Sequence, residues 1–256
     1  MAHIELGHIL ITFVEPHREG LAEYNRWYEH DHAYAAMTSA PGCFAYRRFV
    51  ATRPLKELRY PDPSAVAQPV DKGSYLSLFW FERDRVGEVL DYTAAISPAL
   101  AAAGRMSTDR DHVSTAVYDY LGWTGRGGSP VPPEIALDHP WAGMVAAWLR
   151  PDPDVSVVDL AAWARSELDG DLVAGKGPVG QVLDFTQSDF DRMALTGRVD
   201  EVVRCYFLDA DPREVWEDVF AGLGKTVEAG GRGRVELVAP FIPTIPGTDR
   251  YQDELW

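Results

Sequence analysis

Hydrophobic and polar positions along the chain change their period in a repeating order. Gly7 to Glu15 is a β-rich run that reads as a strand, closed by Pro16. From Glu19 to about Ser39 the period becomes helical, with Leu21, Tyr24, Trp27 and Tyr28 near one side. Pro41-Gly42 ends that helix, and Cys43 to Thr52 reads as a second strand. Pro54 to Lys72 holds four prolines and little periodicity, which marks an irregular insertion. Tyr75 to Glu82 is a third, aromatic strand; Val86 to Met106 an Ala-rich helix with a break expected at Pro98; His112 to Leu121 a fourth strand.

After a Gly/Pro-rich stretch the order starts again. Ala142 to Arg150 is strand-like, and Val157 to Leu168 is helical with Asp154 or Ser156 as N-cap. Pro178 to Thr186 and Val199 to Leu208 are strands, Pro212 to Ala229 a helix, and Arg234 to Phe241 a last strand. Each half therefore reads β-α-β-β-α-β, the order of the ferredoxin-like unit. Aligning Trp27 with Trp163 sets Pro41–Phe49 opposite Gly177–Phe185, each a Pro/Gly break followed by a strand ending in Phe. The expected fold class is α+β, two tandem ferredoxin-like repeats forming an intramolecular dimeric-α/β-barrel arrangement. The expected division is 1–122 for the first repeat, 123–140 for a linker, 141–242 for the second repeat and 243–256 for a Pro-rich tail. Ile242, Ile245, Tyr251, Leu255 and Trp256 are too apolar for a solvated tail, so it is expected to pack on the barrel or on another subunit.

Two such sheets can cover each other by pairing edges, and their outward faces then line a shared lumen. The two-residue period sorts each strand. The greasier faces, Ile9/Ile11/Phe13 and Leu76/Leu78/Trp80, are expected to meet the helices. That assigns His8, Leu10, Thr12, Tyr75, Ser77 and Phe79 to the lumen. With them go His112, Ser114, Tyr118 and Tyr120 of the fourth strand, and Phe44, Tyr46 and Arg48 of the second. In the second half Met144, Ala146 and Trp148 share a face, as do Val235, Leu237, Ala239 and Phe241.

Composition narrows the function. The 256 residues are 46% hydrophobic and 25% charged, enough for a full core without metal or disulfide staples. With 24 Lys and Arg against 39 Asp and Glu, the net charge of −15 argues against nucleic acid and anionic membranes as partners. No apolar run is long enough to span a bilayer, and the N-terminus lacks a signal-peptide pattern, so the expected compartment is the cytoplasm. The two cysteines, Cys43 and Cys205, are too few for a disulfide framework and read as small buried apolar residues. All seven histidines lie at or before residue 139, which puts titratable chemistry in the first half. The spacing of His30 and His32 does not suit a metal pair on a helix, and no third ligand accompanies His8 and His112, so no metal site is expected.

The run Tyr24-Asn-Arg-Trp27-Tyr28-Glu29-His30-Asp31-His32, followed by Pro41-Gly42-Cys-Phe-Ala-Tyr-Arg47-Arg48-Phe49, resembles the EthD-like branch of the dimeric α/β-barrel superfamily. That branch carries an aromatic Trp-Tyr pair near the end of the first helix, an acidic-His dipeptide, and Pro-Gly-Phe with a downstream Arg. Here Trp27-Tyr28, Asp31-His32, Pro41-Gly42 and Arg47 or Arg48 stand in those places, with Phe44 one residue late. The second half has Leu168 where His32 aligns. The resemblance implies relatives that include cyclases, dehydratases, isomerases, dehydrohalogenases, cofactor-free oxygenases and, more distantly, haem proteins.

The expected function is a cofactor-independent enzyme acting by acid/base chemistry on a hydrophobic aromatic or polyketide-like molecule in the lumen. The reaction would be cyclisation, dehydration, isomerisation, elimination or O₂-dependent oxygenation. His32 is the candidate base or acid, His8 or His112 its counterpart, and Arg48 an oxyanion stabiliser. The bland counterparts are a His32 favoured by the helix C-terminus and an Arg48 salt bridge. Trp27, Tyr28, Tyr46, Tyr75, Phe79 and Tyr118 are candidate substrate contacts. The alternatives are a haem-binding barrel with a histidine axial ligand, and a barrel that binds a small ligand without turnover. A homodimer is compatible with the sequence.

Overall fold

The computed structural model describes residues 3–127, 130–174, 177–189 and 200–256. The expected residues Gly128 and Ser129 of the linker and Val199 at the head of the seventh strand lie outside them. The first repeat runs β1 (Leu6–Pro16), α1 (Leu21–Trp27), β2 (Cys43–Val50), β3 (Tyr75–Glu82), α2 (Val86–Ala102) and β4 (Arg110–Gly125). The second runs β5 (Gly143–Pro151), α3 (Val157–Trp163), β6 (Val179–Gln187), β7 (Val202–Leu208), α4 (Leu223–Ala229) and β8 (Gly233–Pro243). α1 widens into π-helical turns over Tyr28–Thr38, and α3 does the same over Ala164–Leu168. Pro98 does not end α2. The helix expected over Pro212 to Ala229 is instead three short pieces, with α4 starting just after Gly222. Ser156 caps α3, its Oγ accepting from the Asp159 N–H. Among the described residues no helix is long and apolar enough to cross a membrane.

The eight strands close in the order β1-β3-β2-β8-β5-β7-β6-β4. All neighbours are antiparallel. Each repeat contributes four adjacent strands, so the barrel has two seams between repeats. At one, β4 pairs with β6 from Tyr118↔Gln187 to Gly125↔Gln181. At the other, β2 meets β8 only at Phe49↔Pro243 and Val50↔Ile242. The tail after β8 returns to the first repeat. Its Thr244 N–H donates to the Arg48 carbonyl at 3.1 Å, and its Gly247 N–H to Glu29 Oε2 at 2.8 Å. Leu255 is buried, and Trp256 Nε1 donates to Glu15 at 3.1 Å.

The lumen is solid. Phe13 stacks on Trp148 at 5.7 Å and meets Phe241 edge-on at 5.8 Å, and Trp80 lies 5.7 Å from Phe185. These side chains belong to one core with Ile9, Ile11, Leu78, Met144, Ala146, Phe207, Leu237 and Ala239. The facing expected for β1 and β3 is thus inverted. Ile9, Ile11, Phe13, Leu76, Leu78 and Trp80 point into the barrel, and the His8/Leu10/Thr12 and Tyr75/Ser77/Phe79 faces point to the helices. The physical reason is the degree of enclosure. The lumen is covered by sheet on every side, so it takes the greasiest face. The helices cover a sheet less completely. The expected grouping of Tyr46 and Arg48 with that polar face holds, because Tyr46 pairs with Phe79 and Arg48 with Ser77.

His112 moved for a second reason. Phe13 pairs with Ser114 but Val14 pairs with His112, so Val113 is an extra residue in the ladder. This bulge turns His112 to the side of Thr115, while Ser114 and Tyr118 keep the expected lumen side.

Candidate active site

Between the helix-facing side of the first sheet and its helices lies a cavity of about 310 Å³. That is near the small end of ligand pockets. Leu10 and Thr12 of β1, Phe79 of β3, and Arg110, His112 and Thr115 of β4 form its floor. Tyr28, His32, Ala33, Ala36 and Met37 of the π-helical turns, Thr93 and Ser97 of α2, and Met106 form its roof. His32 lies within the π-helical turns, and such turns recur at functional sites.

Polar groups gather at one end. His32 stacks on Trp27 at 4.2 Å, and its Nδ1 is buried without a hydrogen-bond partner among the described residues. His112 Nδ1 lies 2.8 Å from Thr115 Oγ1. Thr12 Oγ1 lies 3.4 Å from the Tyr28 hydroxyl. The Arg110 guanidinium sits 5.0 Å from the Trp27 ring centre and donates to the Ser107 carbonyl. It forms no ion pair with a described residue. Burial, reinforced by Arg110, lowers both His32 and His112 to about 4, so both imidazoles are neutral at pH 7. At the other end Leu10, Ala33, Ala36, Met37 and Phe79 make an apolar wall. Thr93 and Ser97 are turned back onto helix carbonyls at 2.9 and 2.7 Å.

Of the residues expected from sequence, His32, His112, Tyr28 and Phe79 line this cavity. Trp27 supports His32 from behind. His8 stands elsewhere on the sheet, 3.4 Å from Asp119. Arg48 is buried beneath the helix. It donates to Asn25 Oδ1 at 2.8 Å and Glu29 Oε1 at 3.2 Å, and lies 3.8 Å from the Tyr75 ring centre. Tyr75 accepts from Asn25 at 2.9 Å in the same cluster. Arg48 is therefore a buried ion-pair residue outside the cavity lining, its Nε without a hydrogen-bond partner among the described residues. Tyr46 stacks on Phe79 at 4.6 Å, behind the lining. Tyr118 lies in the lumen and donates to Glu201 at 3.1 Å, and burial lifts the Glu201 carboxyl to about 7. Burial also pushes the Cys43 thiol up to about 12, which removes it as a thiolate at neutral pH.

Sequence reasoning missed Arg110. Its signal was its place two residues before His112 at the start of a strand, but the strand was expected to begin at His112. Among the described residues no group of three or more His, Cys, Asp or Glu is arranged to hold a metal.

No protein-family model matches the chain, and no curated protein sequence does. Solved structures resemble it in fold. A putative chlorite dismutase superposes with a TM-score of 0.54 at 10% identity, over 98% of this chain and 100% of that one. An anthrone oxidase-like protein gives 0.54 at 10% identity, over 94% and 92%. A putative monooxygenase from Fusobacterium nucleatum gives 0.51 at 8% identity, over 96% and 95%. These likenesses run through both repeats, and the protein has the fold of the dimeric α/β-barrel superfamily, with both ferredoxin-like units in one chain.

Proposed function

We propose that the protein is an enzyme using acid/base chemistry on a small hydrophobic aromatic or polyketide-like molecule. The substrate binds between sheet and helices of the first repeat, not in the lumen. The observation that carries this reading is the convergence on a largely apolar cavity of two neutral imidazoles and one guanidinium that has no ion pair among the described residues. A neutral imidazole accepts a proton, so His32 acts as the base toward a phenol or a carbon acid beside a carbonyl. Arg110 stabilises the oxyanion that forms, replacing Arg48 in that role. His112, held by Thr115, is the second proton carrier. The reaction is a cyclisation, dehydration, isomerisation or elimination. The anthrone oxidase-like and monooxygenase neighbours support the variant in which the carbanion reacts with O₂ as co-substrate.

The haem alternative meets one requirement and misses others. Neutral imidazoles suit an axial ligand. The cavity of about 310 Å³, roofed by Ala33, Ala36 and Met37, is too small for a tetrapyrrole. Arg110 alone among the lining residues offers a cation to the two propionates. Haem titration is expected to give no Soret band with a saturable shift, and one that disappears in His32→Ala would reinstate haem.

Screening phenols, anthrones and β-diketones for turnover tests the main reading. On a confirmed substrate, His32→Ala is expected to lower kcat by roughly 10²–10⁴-fold. Full activity in that variant removes His32 from the mechanism.

A further inference from the structure

The seam between β2 and β8 is left unzipped, and the gap is chemically distinctive. Its counterpart, β4–β6, is paired over its length, whereas β2 and β8 share two register pairs. The cause is local. Beyond Thr244, whose N–H still reaches the Arg48 carbonyl, Pro246 lacks the N–H that continued pairing needs. The chain leaves the ladder there and crosses as the tail, opening a groove of about 540 Å³ between barrel and tail.

Three guanidiniums and two carboxylates face this groove: Arg47 of β2, Arg213 and Arg250, with Asp211 and Glu254. Arg213 is held by Asp211 at 2.6 Å. Arg47 and Arg250 pair with no carboxylate among the described residues. The chain has 39 acidic and 24 basic residues, and two of the described cations without an ion pair border this single groove. Burial lowers the Arg47 pKa, a sign that its charge is partly desolvated, and Asp138 offsets only part of this. Arg250 packs over Tyr251 at 5.1 Å from the ring centre, and Tyr251 holds a left-handed backbone, φ 73°. Such a conformation is costly for an aromatic residue and persists where its placement is fixed by the surroundings. Ile242, Ile245 and Tyr251 supply an apolar wall beside the cations.

We propose that this groove is a second ligand site, separate from the cavity under the helices, and that it takes a small organic anion. The acidic head, a carboxylate, sulfonate or phosphate, sits between Arg47 and Arg250, and an apolar or aromatic body lies against Ile242, Ile245 and Tyr251. Planar guanidiniums suit a multi-oxygen head, because each can donate two parallel hydrogen bonds. The chain's overall negative field disfavours anions elsewhere on the surface.

The test uses 8-anilinonaphthalene-1-sulfonate, followed by its fluorescence, with the neutral N-phenyl-1-naphthylamine as control. The full chain is expected to bind the sulfonate saturably at one site and the neutral compound far more weakly. Arg47→Gln/Arg250→Gln is expected to weaken sulfonate binding by roughly tenfold or more. Arg110→Gln, which alters the other cavity, leaves it unchanged. Arg250 is exposed, so Arg250→Gln alone keeps the test valid if the double variant fails to fold, and it too must weaken binding. Wild-type affinity in either variant, equal affinity for the neutral compound, or loss of binding in Arg110→Gln overturns the proposal.

Discussion

The two repeats share a fold and differ in what lies between sheet and helices. Offset by 136 residues, as in the Trp27–Trp163 alignment, Arg48 corresponds to Asp184 and Glu29 to Arg165. Both pairs form ion pairs from strand to helix, Arg48–Glu29 at 3.2 Å and Arg165–Asp184 at 2.8 Å, with the charges exchanged. From there the repeats diverge. In the second, Arg204 reaches from β7 and is fully buried, bonding Asp184 at 2.7 Å and Asp169 at 2.7 Å. Ala164, Leu160, Trp216 and Phe220 fill the remainder. In the first, Ser77 pairs with Arg48 across the ladder as Arg204 does with Asp184, and Ala33 stands at the position of Asp169. His32 replaces Leu168. Ala33 in place of a carboxylate lines the cavity, and imidazoles border it. One repeat uses its sheet–helix interface for packing, the other for a cavity.

That contrast can be broken by mutation. The largest effect is expected at Arg204. Arg204→Ala leaves buried Asp169 with no cation and Asp184 with Arg165 alone, and should cost about 3–5 kcal/mol in urea unfolding. An unchanged midpoint means the cluster does not hold the second repeat together. Next comes a paired comparison. Leu160→Ala in the filled repeat should cost about 2–5 kcal/mol. Ala36→Leu in the open one should change stability by about 1 kcal/mol or less while abolishing turnover or ligand binding. Equal penalties from the two changes would show that the first interface is as tightly packed as the second.

A pH effect of intermediate size separates the repeats further. His32 and His112 titrate near 4 when folded against 6.5 when free, so the unfolded chain takes up protons first on acidification. Their contribution to stability is complete above pH 6.5 and is lost as pH falls toward 4. Glu201 acts oppositely: its carboxyl is raised from 4.5 to about 7, so its contribution is lost as pH rises between those values. The two slopes partly cancel. Thermal melts of Glu201→Gln should show a steeper loss of stability on acidification, and His32→Gln a shallower one. Identical pH dependence in all three proteins would sink the assignment. The smallest effect is at a helix end: Ser156→Ala removes the N-cap of α3 and should cost about 1 kcal/mol, read as a shift in unfolding midpoint.

Element order was legible because the signals are local. Pro/Gly breaks and changes of period mark β1, β2, β3, β5 and β6 to within a few residues. The site was legible in part. His32 and Tyr28 were marked by the Trp-Tyr and Asp-His pattern, and His112 by its place in the histidine-rich half. Two things were not legible. Period 2 tells which residues share a face but not which face is inside, and it fails at a bulge such as Val113. Arg48 is polar and near the motif, yet its partners Asn25, Glu29 and the Tyr75 ring come from separate elements. Sequence proximity could not reveal that they engage it.

By itself the sequence determined the duplicated β-α-β-β-α-β order, the acidic charge and the placement of all histidines in one half, since these follow from composition and short-range periodicity. Tertiary structure decided the rest. Closing the barrel made the lumen the best-covered volume, so hydrophobic burial drew the greasiest strand faces into it. The more polar faces were left to the helices, where small side chains such as Ala33 and Ala36 line a cavity beside His32, Arg110 and His112.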